Sequence, residues 1–353
     1  MLNSCLQHQI FQWLRRETVK VGVRRVVAFQ GAVASDVGTV RSENQDKIAF
    51  VKINNDHGNI ASLTIVSDGM GGMADGASCA ALAVASVVAF LYEGLHKILI
   101  EPANLLKNAI LFANETVFGK FLSNGGATVA CVLGLSDGRI FWGSAGDSRI
   151  YLSNTDYLKQ ITVDDTLAAH LKREGPIPRE HTKLIQYVGM GKHFEPHIGA
   201  IEYSEGECIL LVSDGVHYLS NFQMLMKNII NSSPDVGTTA RRLLDVSSWA
   251  GGEDNASAAI LRMPFYFDNQ KLDIGGVQIW DPYGDLQIYS APIKEGGSEK
   301  LANNGSAKAI SKSSQENINK SQSSKRKSYK KKKKENNDLD GVVVEIKNGN
   351  LPL

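Results

Sequence analysis

The chain has 353 residues, 43% of them hydrophobic, with four cysteines and a formal net charge of +1. That size and apolar content can bury a substantial core, as one large domain or two smaller ones, and place the chain among soluble globular proteins. Residues 325–334 alone carry eight positive charges, so the remainder is net −7, which suits divalent cations or basic partners better than wrapping nucleic acid.

Residues 1–25 read as an N-terminal extension without the sustained apolar run and small-residue cleavage site of a secretory signal. Apolar, β-rich runs predict strands over 26–34, 47–53 and 62–67. Alanine and leucine at helical spacing predict helices over 76–95 and 102–122. The most apolar part, 79–92, is shorter than the ~20 residues of a membrane span and ends at Glu93, so a buried helix and no membrane span are expected. Strands follow over 127–135, 139–145, 148–152, 208–213 and 256–262, with a helix near 239–250; Ser136, Asp137 and Gly138 mark a tight turn. Strands joined by tight turns, with two long apolar helices inserted, imply antiparallel sheets in a layered α+β arrangement rather than βαβ units. The main domain is therefore 26–264. An additional hairpin is expected in 265–295, around the sequence IWDPYGD at 279–285. Residues 296–353, rich in Ser, Asn and Lys, are expected to be a disordered basic tail. Its lysine run reads as solvated chain, with salt-sensitive contact to acidic protein, lipid or nucleic acid as the sharper alternative. Cys5, Cys79, Cys131 and Cys208 stand far apart, which points to unpaired thiols in a reducing, cytoplasmic setting.

The chemistry-bearing feature is a set of aspartates, each at the end of a predicted strand beside a glycine or an amide residue. They are Asp46 in 41–46 (RSENQD), Asp68 in 67–72 (SDGMGG), Asp214 in 213–215 (SDG) and Asp254 in 253–255 (EDN), with Asp147 in 146–149 (GDSR) as a fifth acidic turn. A single Asp-Gly is ordinarily just a turn. Several at the ends of core-bound strands meet at a sheet edge, where uncompensated carboxylates would repel one another. Hard cations with oxygen ligands compensate them, and Mg²⁺ or Mn²⁺ suit an all-carboxylate site better than Zn²⁺.

Over 26–263 the sequence resembles the type 2C metal-dependent serine/threonine protein phosphatases, in their bacterial style. The resemblance is carried, in family order, by 35–46 (SDVGTVRSENQD), 66–72 (VSDGMGG), 126–130 (GATVA), 146–151 (GDSRIY), 211–215 (LVSDG) and 254–257 (DNAS). The stretch 161–167 (ITVDDTL) is similar to the start of the family's variable flap. The resemblance implies a four-layer α/β/β/α sandwich, two antiparallel sheets flanked by helices, with a two-metal site at one end. It implies Asp46, Asp214 and Asp254 as ligands, Asp68 as the bridge between both ions, and the Gly69 carbonyl as a further ligand. Arg41 would hold the phosphate, and Asp147 would share a third, weaker cation with Asp214. Arg41, Asp46 and Asp68 are thus the expected catalytic group. Two cations about 3.5–4 Å apart can activate a water without any protein nucleophile, and the planar guanidinium of Arg41 matches two phosphate oxygens. Met70 stands where animal-type members carry a histidine proposed to protonate the leaving group; a metal-bound water is the candidate for that role.

The implied reaction is hydrolysis of phosphoserine and phosphothreonine in proteins, opposing a bacterial-type serine/threonine kinase, with the flap over 162–200 as substrate selector. Two other readings stay open: an inactive phosphoprotein-binding module on the same fold, and a hydrolase of small phosphoesters. His193 and His197 have zinc-like spacing for a helix, but Pro196 argues for a loop. Residues 189–192 (GMGK) lack the full phosphate-loop pattern. Ser67 and Ser213 lack the surroundings of a hydrolase triad and read as strand-end residues.

Overall fold

From the N-terminus the chain forms α1 (Leu2–Leu14), β1 (Val21–Val26), β2 (Gly31–Asp36), β3 (Lys47–Asn54), β4 (Ile60–Ser67), α2 (Gly76–Glu93) and α3 (Pro102–Phe121). Then come β5 (Val129–Leu135), β6 (Ile140–Ala145), β7 (Arg149–Ser153), β8 (Leu158–Gln160), α4 (Leu167–His170), β9 (His197–Ala200) and β10 (Cys208–Val212). The last elements are α5 (Asp214–His217), α6 (Phe222–Ser232), α7 (Val236–Trp249), β11 (Ala256–Arg262), β12 (Gly276–Asp281), β13 (Gly284–Ser290) and β14 (Val342–Lys347). The computed structural model describes residues 2–55, 58, 60–70, 75–171, 183–218, 222–264, 275–290 and 342–347.

The strands form two antiparallel sheets, ordered β1-β2-β11-β10-β7-β8 and β14-β13-β12-β3-β4-β5-β6-β9. Strands buried on both faces split their side chains between two cores, because successive residues point opposite ways. In β10, Ile209 and Leu211 join Val33, Phe50 and Val132 between the sheets, whereas Leu210 and Val212 pack outward with Met226 of α6 and Leu243 of α7. On the other side, Leu63 and Ile65 of β4 meet Val84 of α2, Ile110 of α3 and Ile10 of α1. Each such aliphatic side chain contributes roughly 1.5–3 kcal/mol when fully buried. The result is the expected α+β sandwich of helices, sheet, sheet and helices. The helix α2 is long and apolar enough to cross a membrane by composition alone, but it is buried along most of its length inside this packing.

Three expectations are corrected. The strand expected over 26–34 is interrupted by a 3-10 turn at Val27–Phe29 and by Gln30 in the left-handed region at φ 46°, so β1 and β2 form a hairpin with Val26 opposite Gly31. The β-branched run hides this turn from periodicity. The expected N-terminal extension 1–25 is, over its described residues, woven into the fold: Ile10, Trp13 and Leu14 are buried and β1 is a sheet edge. Thirdly, the tail is not without regular structure, because β14 pairs with β13 over Asp285↔Lys347 to Ser290↔Val342. Its sequence VVVEIK has the β-branched character the Ser/Asn/Lys composition of the tail conceals. The disorder expected for 296–340, including the lysine run 325–334, falls outside the described residues.

The hairpin of β12 and β13 is present and extends the larger sheet by pairing β12 with β3. Its turn is closed by the Asp281 carboxylate, whose Oδ1 accepts from the backbone N–H groups of Tyr283 and Gly284, each at 2.8 Å. Arg16 and Arg24 from the N-terminal segment reach Asp281 and Asp285 at 2.7 Å, so this hairpin is fastened to the N-terminal segment.

Candidate active site

Strand register brings the aspartates to one end of the sandwich. Lys47 lies opposite Ser67, which sets Asp46 beside Asp68. Val212 lies opposite both Ala258 and Arg149, which brings Asp214 towards Asp254 on one side and Asp147 on the other. Two glycines permit the close approach of these turns. A Cβ on Gly69 would overlap the Gly76 carbonyl, and one on Gly215 would overlap the Asn255 carbonyl. The Asp68 backbone N–H donates to the Thr128 hydroxyl at 3.0 Å, and the Thr128 N–H donates back to the Asp68 carbonyl at 2.8 Å. Asn255 fastens the loop 37–45, accepting from the Gln45 N–H at 2.8 Å and donating to the Val37 and Glu43 carbonyls at 2.8 and 2.9 Å.

Arg41, Asp68, Gly69, Asp147, Asp214 and Asp254 line one cleft of about 260 Å³, together with Met70, Thr128, Leu184 and Tyr218. Asp46 is buried close by and accepts from the Ser213 hydroxyl at 2.7 Å. The carboxylates load one another electrostatically. Burial pushes Asp68 well above the usual carboxylate range, and the charges of Asp46, Asp214 and Asp147 push it further. Asp214 is raised in the same way by burial and by Asp147, Asp254 and Asp46. Asp46 is raised by burial against the opposing hydrogen bonds of Ser213 and Ser257, and Asp147 is raised to about 6 by burial and then by Asp164. Arg41 Nη2 lies 2.7 Å from Asp254 Oδ2, and this bond is the main cause that raises the guanidinium pKa.

Buried Oδ1 atoms of Asp46 and Asp214 have no hydrogen-bond partner. Such atoms are costly unless something pairs with them. Hard oxygen donors, mutual repulsion and two unpaired buried oxygens together fit divalent cations of the Mn²⁺ or Mg²⁺ kind. Among the described residues no three His, Cys, Asp or Glu side chains form a ready-made ligand group. Asp254 is turned to Arg41 and one oxygen of Asp46 to Ser213, so the carboxylates are gathered without being converged on one point.

The model of the protein phosphatase 2C family matches residues 39–247. The chain belongs to this family. The serine/threonine protein phosphatase PstP of Mycobacterium tuberculosis is 28% identical over 252 residues, 67% of this chain but only 45% of PstP, so the chain spans less than half the length of that curated relative. Protein phosphatase PhpP of Streptococcus pneumoniae is 25% identical over 66% of this chain and 96% of its own. Among solved structures, the catalytic domain of PstP in complex with two manganese ions superposes with a TM-score of 0.53 at 28% identity, covering 69% of this chain and 98% of that one. The protein phosphatase 2C family match covers every aspartate of the cleft except Asp254, which lies just beyond it.

Three residues in or behind the cleft have site roles that their sequence context does not announce. Ser213, at a strand end, holds Asp46 and accepts from the Ser257 N–H at 3.0 Å. Thr128 lies within the motif at 126–130, whose sequence alone assigns it no role, and its hydroxyl also meets Ser148 at 2.6 Å. Tyr218, four residues after Asp214, lies against the cleft with its hydroxyl donating to Asp147 Oδ2 at 3.3 Å, and no sequence signal marks it. His197 belongs to β9 and meets Asp165 at 2.8 Å, whereas His193 sits in a loop at φ 66°, so the pair does not share a helix.

Proposed function

We propose that the protein hydrolyses phosphoserine and phosphothreonine in protein substrates, removing phosphate placed by a serine/threonine kinase. The observation that carries this reading is the cleft in which Asp68, Asp147, Asp214 and Asp254 meet from separate strand ends, with Asp46 buried beside it, unpaired oxygens on Asp46 and Asp214, and an arginine at the rim. Asp46, Asp68, Asp214, Asp254 and the Gly69 carbonyl would hold two Mn²⁺ or Mg²⁺ ions, and Asp147 with Asp214 a third. Bound there, such ions lower the pKa of water and offset charge on phosphoryl oxygens. Arg41, partly exposed beside them, supplies donors for the phosphate itself. Ser213 is fully buried and gives its hydrogen to Asp46, so it does not act as a nucleophile. Met70 lines the cleft without a proton to give, so the chain offers no imidazole acid there. A cytoplasmic setting is part of the proposal and rests on the four unpaired cysteines.

Phosphate release from a phosphothreonine peptide, a phosphotyrosine peptide and an aryl phosphate, each with Mn²⁺ and after chelation, tests the assignment. Metal-dependent turnover that favours the phosphothreonine peptide over the phosphotyrosine peptide is expected. Turnover of the aryl phosphate alone would favour a small-phosphoester hydrolase, and none at all an inactive binding module.

A further inference from the structure

The hairpin of β12 and β13 lies beyond the family match, yet its tip reaches the loop that carries Arg41 and Asp46. Asn44 organises that loop. Its side-chain oxygen accepts from the Asp46 N–H at 3.1 Å, and its amide donates to the Ser35 hydroxyl at 2.8 Å. The Ser35 hydroxyl in turn meets that of Ser257 at 2.8 Å, and the Ser257 N–H bonds Ser213, the residue that holds the Asp46 carboxylate. Asn44 therefore grips Asp46 through the backbone and, by way of three serines, through the side chain.

Tyr283, at the hairpin tip, closes this ring from outside. Its hydroxyl accepts from the Asn44 amide at 3.2 Å and donates to the Ser35 carbonyl at 3.4 Å. The ring position is set on both sides. Gly22 of β1 leaves room for it, since a Cβ there would overlap both the Tyr283 ring and Pro282. The turn that presents it is fixed by Asp281, which is held by Arg16 at 2.7 and 2.8 Å, and the Arg16 guanidinium lies 3.7 Å above the Trp13 ring.

We propose that Tyr283 is a positioning residue for the metal-binding loop, acting through Asn44 on Asp46, so that the hairpin and the N-terminal segment that fixes it tune the cation affinity of the site. Groups that orient metal ligands from behind are worth roughly 10–100-fold in metal affinity. Tyr283 stands one residue further out, so an effect near the lower end, about tenfold, is expected. The inference rests on the metal-binding reading of the aspartates given above.

Calorimetric titration of Mn²⁺ into the full chain and into Tyr283→Phe, which keeps the ring and loses only the hydroxyl, provides the test, repeated in an Asn44→Ala background. The expected result is about tenfold weaker Mn²⁺ binding in Y283F, a melting temperature in chelator lowered by no more than about 2–4 °C, the worth of one hydroxyl bond, and turnover restored at saturating Mn²⁺ with KM for the peptide unaltered. In the N44A background the Y283F effect should vanish. Equal Mn²⁺ affinity of parent and Y283F would overturn the positioning role, as would an effect that persists without Asn44. A parent that binds no Mn²⁺ would instead remove the metal-binding reading and this inference with it.

Discussion

Replacing Asp147 by asparagine keeps the shape of a buried side chain and removes one charge from the cluster. Burial raises the Asp147 carboxyl from its usual value near 3.8 to about 6. At 1.36 kcal/mol per unit, that difference is on the order of 3 kcal/mol. A carboxyl that holds its proton more tightly in the folded protein costs nothing below about pH 4; the cost grows with pH and is complete above about 6. In chelator at pH 8, D147N should therefore be the more stable protein. The lost hydrogen bond from Tyr218 offsets about 1 kcal/mol of this, leaving a net ~2 kcal/mol, or roughly 4–8 °C in Tm. His217 contributes an opposite slope, since burial lowers its pKa from 6.5 to about 3 and stability falls as pH drops through that window. That slope is common to both proteins and cancels in the difference. Thermal melts between pH 4.5 and 8 in chelator should show the two curves converging at acid pH and separating above 6. Mn²⁺ should narrow the gap at pH 8, because both proteins keep the carboxylates for two ions but only the parent has the carboxylate at 147 to share a third. Melting curves that run parallel across the whole range would refute the claim that Asp147 is a strained, buried charge.

Arg41→Ala should lower kcat/KM for a phosphothreonine peptide by roughly 10–100-fold, the worth of a charge-assisted contact, with Mn²⁺ binding retained; equal phosphate-release rates would remove Arg41 from the site. Gly69→Ala should cost ~1–3 kcal/mol or more and weaken Mn²⁺ binding, because the new Cβ meets the backbone of Gly76 rather than a side chain that can yield; an unchanged melt would show that the turns can separate. Truncation after Ser290 removes β14 and leaves β13 as a bare edge, so Tm should fall and self-association rise in size-exclusion chromatography, and an unaltered monomeric protein would show that β14 adds nothing.

Much of the fold was legible because strands such as β4 and β10 are mostly apolar, buried runs that stop at Ser-Asp-Gly, so one signal marks both the strand end and the site residue. Less legible was anything fixed by a single backbone conformation or by a distant partner. The turn at residues 27–30 follows a strand rich in β-branched residues, and a 3-10 turn closed by the positive φ of Gln30 separates β1 from β2. The strand β14 is six residues after a long polar stretch, and its pairing with β13 is not a local property. Within the site, aspartates announced themselves by type and spacing. Ser213, Thr128 and Tyr218 did not, because their roles depend on which carboxylate the fold sets in front of them.

The central claim is that the gathered aspartates bind two divalent cations on which phosphate release depends. The most direct measurement is a Mn²⁺ titration of the parent and of Asp68→Asn, reading bound ions per chain by calorimetry while following phosphate release from a phosphothreonine peptide in the same solutions. At least two ions per parent chain, turnover that rises as they bind, and a variant that binds fewer ions and releases no phosphate are expected. Full turnover by Asp68→Asn, or by the parent after exhaustive chelation, would contradict it.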